Sequence, residues 1–169
     1  MDEIDDIYQR EGKAYKVTTF PIPFNLEEIK INLTVNTNTS SKQSKEQIIN
    51  KAIQFHLKGN IQEAAKCYQY CINQGFNDHR VFSNYAGILQ GIGNLKDAEI
   101  SCRKAIELKP DYAEAHSNLG NILKELGNLK DAEFLYRKAI EIKPDYAAAH
   151  NNLGNVLKAL EKLKDAEFS

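Results

Sequence analysis

The chain has 169 residues, with 22 Lys and Arg against 23 Asp and Glu and a formal net charge of −1. This balance gives no electrostatic footprint for nucleic acid or an anionic membrane. No apolar run approaches the roughly 20 residues that a spanning helix needs. The acidic start MDEIDDIYQRE also lacks the apolar core of a secretory signal. We therefore expect a cytoplasmic protein without a membrane or nucleic-acid partner.

Residues 1–44 differ in kind from the rest and are predicted to form a short, non-helical leader. The segment Thr18–Phe24 contains two prolines and should be extended. Ile29–Val35 alternates apolar and polar residues, which is a strand pattern, and Asn36–Ser44 is polar and linker-like. Because a lone strand is not stable, the leader either adds to a sheet elsewhere, lies on the segment that follows, or stays partly disordered.

From residue 45 onward the sequence repeats itself every 34 residues. Arg103–Asn121 and Arg137–Asn155 are identical at 16 of 19 positions. In this register the chain contains three full units and one partial unit, which are Lys45–Asp78, His79–Tyr112, Ala113–Tyr146 and Ala147–Ser169. A fixed period of this length is typical of stacked repeats, because a single helical hairpin cannot bury its own apolar face.

Each full unit is predicted to contain two helices, as the third unit illustrates. The first helix places four apolar residues on one face, namely Leu119, Ile122, Leu123 and Leu126. A Gly127–Asn128 pair interrupts it, and Asn128 can cap the second helix. The second helix also has one apolar face, formed by Leu129, Ala132, Leu135, Tyr136, Ala139 and Ile140. Pro144 closes the unit, and Asp111 with Glu114 suits a capping box at its start.

Small residues recur at three places in the unit, where a bulky side chain would push two helices apart. The eighth position carries Ala52, Ala86, Gly120 and Gly154, and the twentieth carries Ala64, Ala98, Ala132 and Ala166. The twenty-seventh position of the three full units carries Cys71, Ala105 and Ala139. The period, these small residues and the closing Pro110 and Pro144 resemble the tetratricopeptide repeat (TPR). The first unit departs from the pattern with Phe76 in place of the proline.

The resemblance covers residues 45–169 and implies an all-α fold, a right-handed α-solenoid of TPR helical hairpins. It also implies a concave groove that holds another molecule. The fourth unit is expected to contain a first helix, Ala147–Leu160, and only the start of a second, KLKDAEFS. Its apolar residues Ala166 and Phe168 should then lack cover. We expect this unit either to fray or to mediate self-association through the C-terminal repeat.

Asparagine occupies the sixth position of every unit. The four residues, called the asparagine row here, are Asn50, Asn84, Asn118 and Asn152. In the TPR fold this position lies on the first helix of the hairpin, which lines the concave side. Helix propensity does not explain asparagine there, whereas its amide offers two donors and an acceptor. The row is similar to the one in the repeat arm of O-linked N-acetylglucosamine transferase.

This similarity implies a site that binds the main chain of an extended peptide, and Asn121 and Asn155 at the ninth position widen it. The alternative is that repeat duplication copied the asparagine without a binding role. The carboxylate clamp of some TPR domains needs cations in the first and in the third of three consecutive repeats. In one register Ile49, Glu114 and Asn118 occupy those places, and a shift by one unit supplies no cation either. A clamp for a partner's C-terminal carboxylate is therefore not expected.

No residues outside the repeat pattern form a catalytic or metal-binding constellation. Cys67 and Cys71 are one helical turn apart, but structural zinc needs four ligands. With Cys102 they are interpreted as buried free thiols. His116 and His150 occupy a packing position of the repeat and are interpreted as packing residues, not as bases. No phosphate loop or nucleophile elbow is present, and no cofactor or metal is expected.

Together these features predict a non-catalytic scaffold that binds a protein or peptide ligand in a concave groove. Two alternatives remain open at the level of sequence. The chain could be the truncated substrate-binding arm of a glycosyltransferase or sulfotransferase, since several bacterial TPR proteins carry such a C-terminal domain. It could also be a self-assembling structural array.

Overall fold

In the computed structural model, residues 44–167 are described, and they form seven α-helices and no strand. The helices are α1 Lys45–Leu57, α2 Ile61–Asn73, α3 His79–Gly91, α4 Leu95–Leu108, α5 Ala113–Glu125, α6 Leu129–Ile142 and α7 Ala147–Glu167. The predicted extended and strand segments of the leader, and Phe168 near the C terminus, lie outside the described residues. Within residues 44–167 the all-α repeat solenoid predicted from the sequence is confirmed.

Three helical hairpins, α1–α2, α3–α4 and α5–α6, stack in chain order. The second helix of each hairpin packs against the first helix of the next, so that α2 contacts α3, α4 contacts α5 and α6 contacts α7. The first helices also contact one another directly, α3 with α5 and α5 with α7. The stack therefore has one side formed by first helices, and the sixth position of each unit lies there.

Glycine in a left-handed conformation ends the first helix of each hairpin. Gly59, Gly93 and Gly127 have φ angles of 76°, 78° and 83°, a region that other residues enter only at a cost. The following residue closes the helix by a Schellman bond, as in Asn94, whose backbone N–H donates to the Leu89 carbonyl at 2.9 Å. Because this geometry is local, the repeated Gly–Asn pair locates the turns correctly.

Two predicted caps differ from the structure. Asn94 accepts a hydrogen bond from the Asp97 N–H at 3.4 Å, but Asn128 makes no side-chain cap bond. The capping box of Asp111 with Glu114 is wrong, because the residue at the N-cap of α5 is Tyr112. Glu114 instead lies 3.5 Å from Lys143 Nζ, which follows α6.

Small residues lie where the helices of a hairpin meet, as predicted. Ala64, Ala98 and Ala132 are completely buried. At Gly120 an added Cβ would lie 2.8 Å from Cε1 of the Tyr136 ring. Glycine at this position therefore lets the tyrosine of α6 lie directly on the backbone of α5, and the ring is itself fully buried.

The fourth unit differs from the prediction, because α7 is one continuous helix of 21 residues. It does not break after Leu160 into a first and a second helix. Glu161 occupies the position of Gly59, Gly93 and Gly127, and a side chain in the left-handed region costs about 1–2 kcal/mol. The helical conformation is cheaper for glutamate, so the helix continues. Fraying of this unit and self-association through it stay predictions.

Candidate functional site

The asparagine row lies on α1, α3, α5 and α7, the four helices that form one side of the stack. Asn118 Nδ2 donates to Ser83 Oγ at 3.1 Å, which joins α5 to α3. Asn152 Nδ2 donates to Asn121 Oδ1 at 2.9 Å, which joins α7 to α5. Two members of the row therefore hydrogen-bond the first helix of the preceding unit.

Asn121 is the centre of a small polar network. Its Oδ1 accepts from Asn152 and also from the Tyr136 hydroxyl, at 2.8 Å. Both acceptor directions of the carbonyl are thus in use, and the Asn121 amide nitrogen remains as a pair of donors. The burial of the Tyr136 side chain raises its pKa to about 12, so the hydroxyl stays a donor at neutral pH.

The amides of the row, and of Asn121 and Asn155 beside it, differ in exposure. Asn84, Asn118, Asn121 and Asn152 are half-buried, whereas Asn50 and Asn155 are exposed. An asparagine amide has two N–H donors and one carbonyl acceptor. In their bonds to the preceding unit Asn118 and Asn152 each use one N–H, which leaves the carbonyl oxygen and the second N–H of each amide.

The sequence did not reveal these inter-repeat bonds, because the partners are 35 and 31 residues apart. Two polar residues in the sequence nevertheless indicated that such bonds were available. Ser83 occupies the fifth position of the second unit and Asn121 the ninth position of the third. Polar residues at both places flank the row of the next unit once the units are stacked.

A basic residue near the start of α3 is engaged by two carboxylates. Arg80 donates to Asp78 Oδ2 and to Glu46 Oε2, each at 2.8 Å, and to Glu46 Oε1 at 3.0 Å. The bonds to Asp78 and then to Glu46 raise the pKa of Arg80, and the bond to Arg80 lowers that of Glu46. This guanidinium therefore links the first two units and is already neutralised.

The two repeat histidines each join the end of one unit to the start of the next. His116 Nε2 lies 2.7 Å from the Pro110 carbonyl oxygen, and His150 Nε2 lies 2.8 Å from that of Pro144. A carbonyl can only accept, so Nε2 carries the proton. His116 is buried, its Nδ1 has no partner, and burial lowers its pKa. Its interpretation as a packing residue agrees with this environment.

The cysteines are buried free thiols, as interpreted from the sequence. Burial raises the pKa of Cys71 and of Cys102 to about 12, so both are protonated at neutral pH. Within residues 44–167 no group of three or more His, Cys, Asp or Glu side chains could hold a metal ion. In the same range no helix has the length and apolar character to cross a membrane.

Family models place the repeats where the helical hairpins lie. A model described as tetratricopeptide repeat matches residues 79–112. A second, described as TPR repeat, matches residues 103–127 and 120–161. No curated protein matches the sequence.

Solved structures share the fold at low sequence identity. The first TPR domain of human RPAP3 is 23% identical, with a TM-score of 0.65 over 72% of this chain and 95% of that domain. The first TPR domain of Spaghetti (RPAP3), bound to the HSP90 peptide SRMEEVD, is also 23% identical, with a TM-score of 0.65 over 74% and 99%. The Arabidopsis OM64 TPR domain is 20% identical, with a TM-score of 0.63 over 68% and 94%.

Proposed function

Because the chain is a tetratricopeptide repeat protein, we propose that it is a non-catalytic scaffold that binds an extended peptide along its first helices. The asparagine row carries this proposal. Its members recur at one position of successive units, and Asn118 and Asn152 are each held by a bond to the preceding unit. A side chain that is already fixed loses little entropy when a ligand binds.

The amide of a fixed asparagine matches the main chain of a peptide. Asn118 and Asn152 each keep a carbonyl acceptor and one N–H donor, which can pair with the N–H and C=O of an extended chain. Asn121 adds two donors, and the exposed Asn50 and Asn155 extend the site at both ends. Because every residue carries the same main-chain groups, such a site tolerates many side chains, and we propose a ligand class of extended protein segments.

The structural relatives support a peptide ligand for this fold, since the Spaghetti domain is bound to an HSP90 peptide. For this chain we propose recognition of the main chain and not of a terminal carboxylate. Glu114 and Asn118 occupy the places of two clamp cations in one register. The guanidinium of Arg80 is engaged by Asp78 and Glu46, so it is not available to grip a third carboxylate.

The test begins with a selection of random peptides displayed on phage against the full chain. A selected peptide is then titrated into the wild type and into the double variant Asn118→Ala, Asn152→Ala. Each amide contact contributes about 1 kcal/mol, so we expect the Kd to rise by up to roughly 30-fold. Circular dichroism checks that the variant keeps its helices.

Asn128→Ala is the matched control, because Asn128 is exposed, lies in a turn and makes no side-chain cap bond. It should leave the Kd unchanged. An unchanged Kd in the folded double variant, or an equal loss in the control, would contradict the proposal. Turnover of an activated sugar or sulfate donor by the purified chain would contradict its non-catalytic part.

A further inference from the structure

The first unit exposes a large apolar side chain on the side of the stack that carries the asparagine row. Leu57 follows Asn50 by seven residues, which is about two helical turns, so both lie on one side of α1. Ile53 lies between them and is half-buried, whereas Leu57 is 83% exposed. The side chains of Asn50, Ile53 and Leu57 are called the α1 strip here.

The repeat fold does not require an apolar residue at the place of Leu57. The thirteenth position carries leucine only in the first unit, and the next three units have Gly91, Glu125 and Ala159 there. Among the described residues Leu57 is also the most exposed of the large apolar side chains. Its exposure therefore has no explanation in the packing of the hairpins.

The neighbouring first helix leaves space beside the α1 strip. Arg80 of α3 donates to the two carboxylate oxygens of Glu46 in α1, at 3.0 and 2.8 Å, so the two helices are neighbours on this side. Gly87 and Gly91 of α3 occupy the positions equivalent to the two apolar members of the strip. An added Cβ at either glycine would meet no described atom within 4 Å. Next to the strip, α3 therefore presents backbone without side chains.

Residues 29–35, IKINLTV, carry the chemistry that this surface can bind. In an extended chain alternate side chains point to opposite faces. One face of the segment is then entirely apolar, and its residues are Ile29, Ile31, Leu33 and Val35. A lone strand also leaves its main-chain N–H and C=O groups unpaired. The segment thus offers apolar groups to Leu57 and main-chain groups to the amide of Asn50.

The segment is tethered within reach of the α1 strip. Residues 36–44 connect it to α1, whose N-cap is Ser44. A linker of this length spans up to about 30 Å when extended, and α1 places Leu57 about 20 Å from Ser44. Tethering by a short flexible linker gives an effective concentration in the millimolar range. A segment of the same chain therefore has an advantage over that of a second copy in dilute solution.

We propose that residues 29–35 bind in cis along α1 and α3, with their apolar side chains on Ile53 and Leu57. Their main chain then lies at Asn50 and Asn84, the first two members of the asparagine row. An external peptide uses the same amides, so the segment competes with it at this end of the row. The competition rests on the proposed function, whereas the contact with Leu57 does not.

NMR spectroscopy of the full ¹⁵N-labelled chain tests the contact. The double variant Ile31→Ser, Leu33→Ser removes two apolar side chains from the segment and changes no residue of the described helices. We expect the amide signals of Leu57 and Gly91 to shift relative to those of the wild type. The shifts should not depend on protein concentration, because the contact is made within one chain.

Matched controls separate this contact from a general effect of substitution. Lys30→Ser, Asn32→Ser changes the opposite face of the same segment and should leave the signals of α1 and α3 in place. In the reverse direction, Leu57→Ser should move the amide signals of residues 31 and 33. Ile92→Ser should not move them, because Ile92 is also exposed, at 65%, but lies outside the strip. Circular dichroism checks that every variant keeps its helices.

Peptide titration tests the competition. A phage-selected peptide should bind the Ile31→Ser, Leu33→Ser variant more tightly than the wild type. We expect the Kd to fall about fourfold, the value for a segment that occupies the site in roughly three quarters of the molecules. An unchanged Kd would overturn the competition. Failure of the proposed function has a different signature, in which Asn118→Ala, Asn152→Ala leaves the Kd unchanged.

Two further results would overturn the proposal. One is that the signals of Leu57 and Gly91 are the same in the wild type and in Ile31→Ser, Leu33→Ser, because the segment then does not touch the α1 strip. The other is a dimer in sedimentation that this variant abolishes, because the segment then binds a second copy and not its own chain.

Discussion

Gly120 and Gly154 allow the packing of a hairpin to be measured within a single chain. They occupy the same position of α5 and α7 and have the same neighbours, NLGN. We consider replacing each by alanine. In a helix interior alanine is favoured over glycine by about 1 kcal/mol, and this gain should be common to both sites.

The two sites differ in the space that the new methyl group enters. At Gly120 it would lie 2.8 Å from Tyr136 Cε1 and 3.0 Å from Cδ1. The ring is fully buried and its hydroxyl donates a hydrogen bond to Asn121. Moving the ring away from the new methyl group therefore disturbs both its packing and this hydrogen bond. Overpacking of this kind costs about 1–3 kcal/mol. At Gly154 there is no atom within 4 Å, and the cost is absent.

Gly154→Ala should therefore raise the free energy of unfolding by up to about 1 kcal/mol. Gly120→Ala should either leave the free energy of unfolding unchanged or lower it by up to about 2 kcal/mol. The first unit carries Ala52 at this position, with Tyr68 at the place of Tyr136. A hairpin can thus adapt to alanine, and we expect the loss to lie in the lower half of that range.

Urea unfolding followed by circular dichroism measures both variants against the wild type. The two alanine variants should differ by at least about 1 kcal/mol, with Gly154→Ala the more stable. Equal stabilisation of both would refute the reasoning, because it would mean that the Tyr136 ring does not press on the backbone of α5. Destabilisation by Gly154→Ala would contradict the open space beside Gly154.

Two further predictions concern single residues. Burial lowers the folded pKa of His116 below its unfolded value of about 6.5, so its contribution to stability is present above that pH and falls as the pH drops below it. The variant His116→Phe copies Phe82 of the second unit, and its free energy of unfolding should depend less on pH between pH 7 and 5. An identical pH dependence in the variant and the wild type would contradict this. Glu161→Gly should end α7 near residue 160, seen as loss of helical Cα chemical shifts beyond it, and an unchanged helix would show that the residue at this position does not decide the break.

Much of the fold was readable from the sequence because its determinants are local. The period of 34 residues, the apolar faces and the repeated Gly–Asn pairs located three hairpins. The continuity of α7 also depends on a local residue, Glu161, but the repeated pattern of the earlier units predicted a break there. The capping box at Asp111 failed because a helix start depends on one residue of register, which pattern alone does not determine.

The sequence by itself determined the hairpin repeat and the recurrence of asparagine at one position of each unit. Only the tertiary structure decided what those residues touch. Asn118 meets Ser83, and Asn152 meets Asn121, because stacking brings successive first helices together. Gly120 and Gly154 have the same local sequence, yet one is covered by a tyrosine ring and the other is open. Burial depends on which helix lies opposite, and a local sequence pattern does not contain that information.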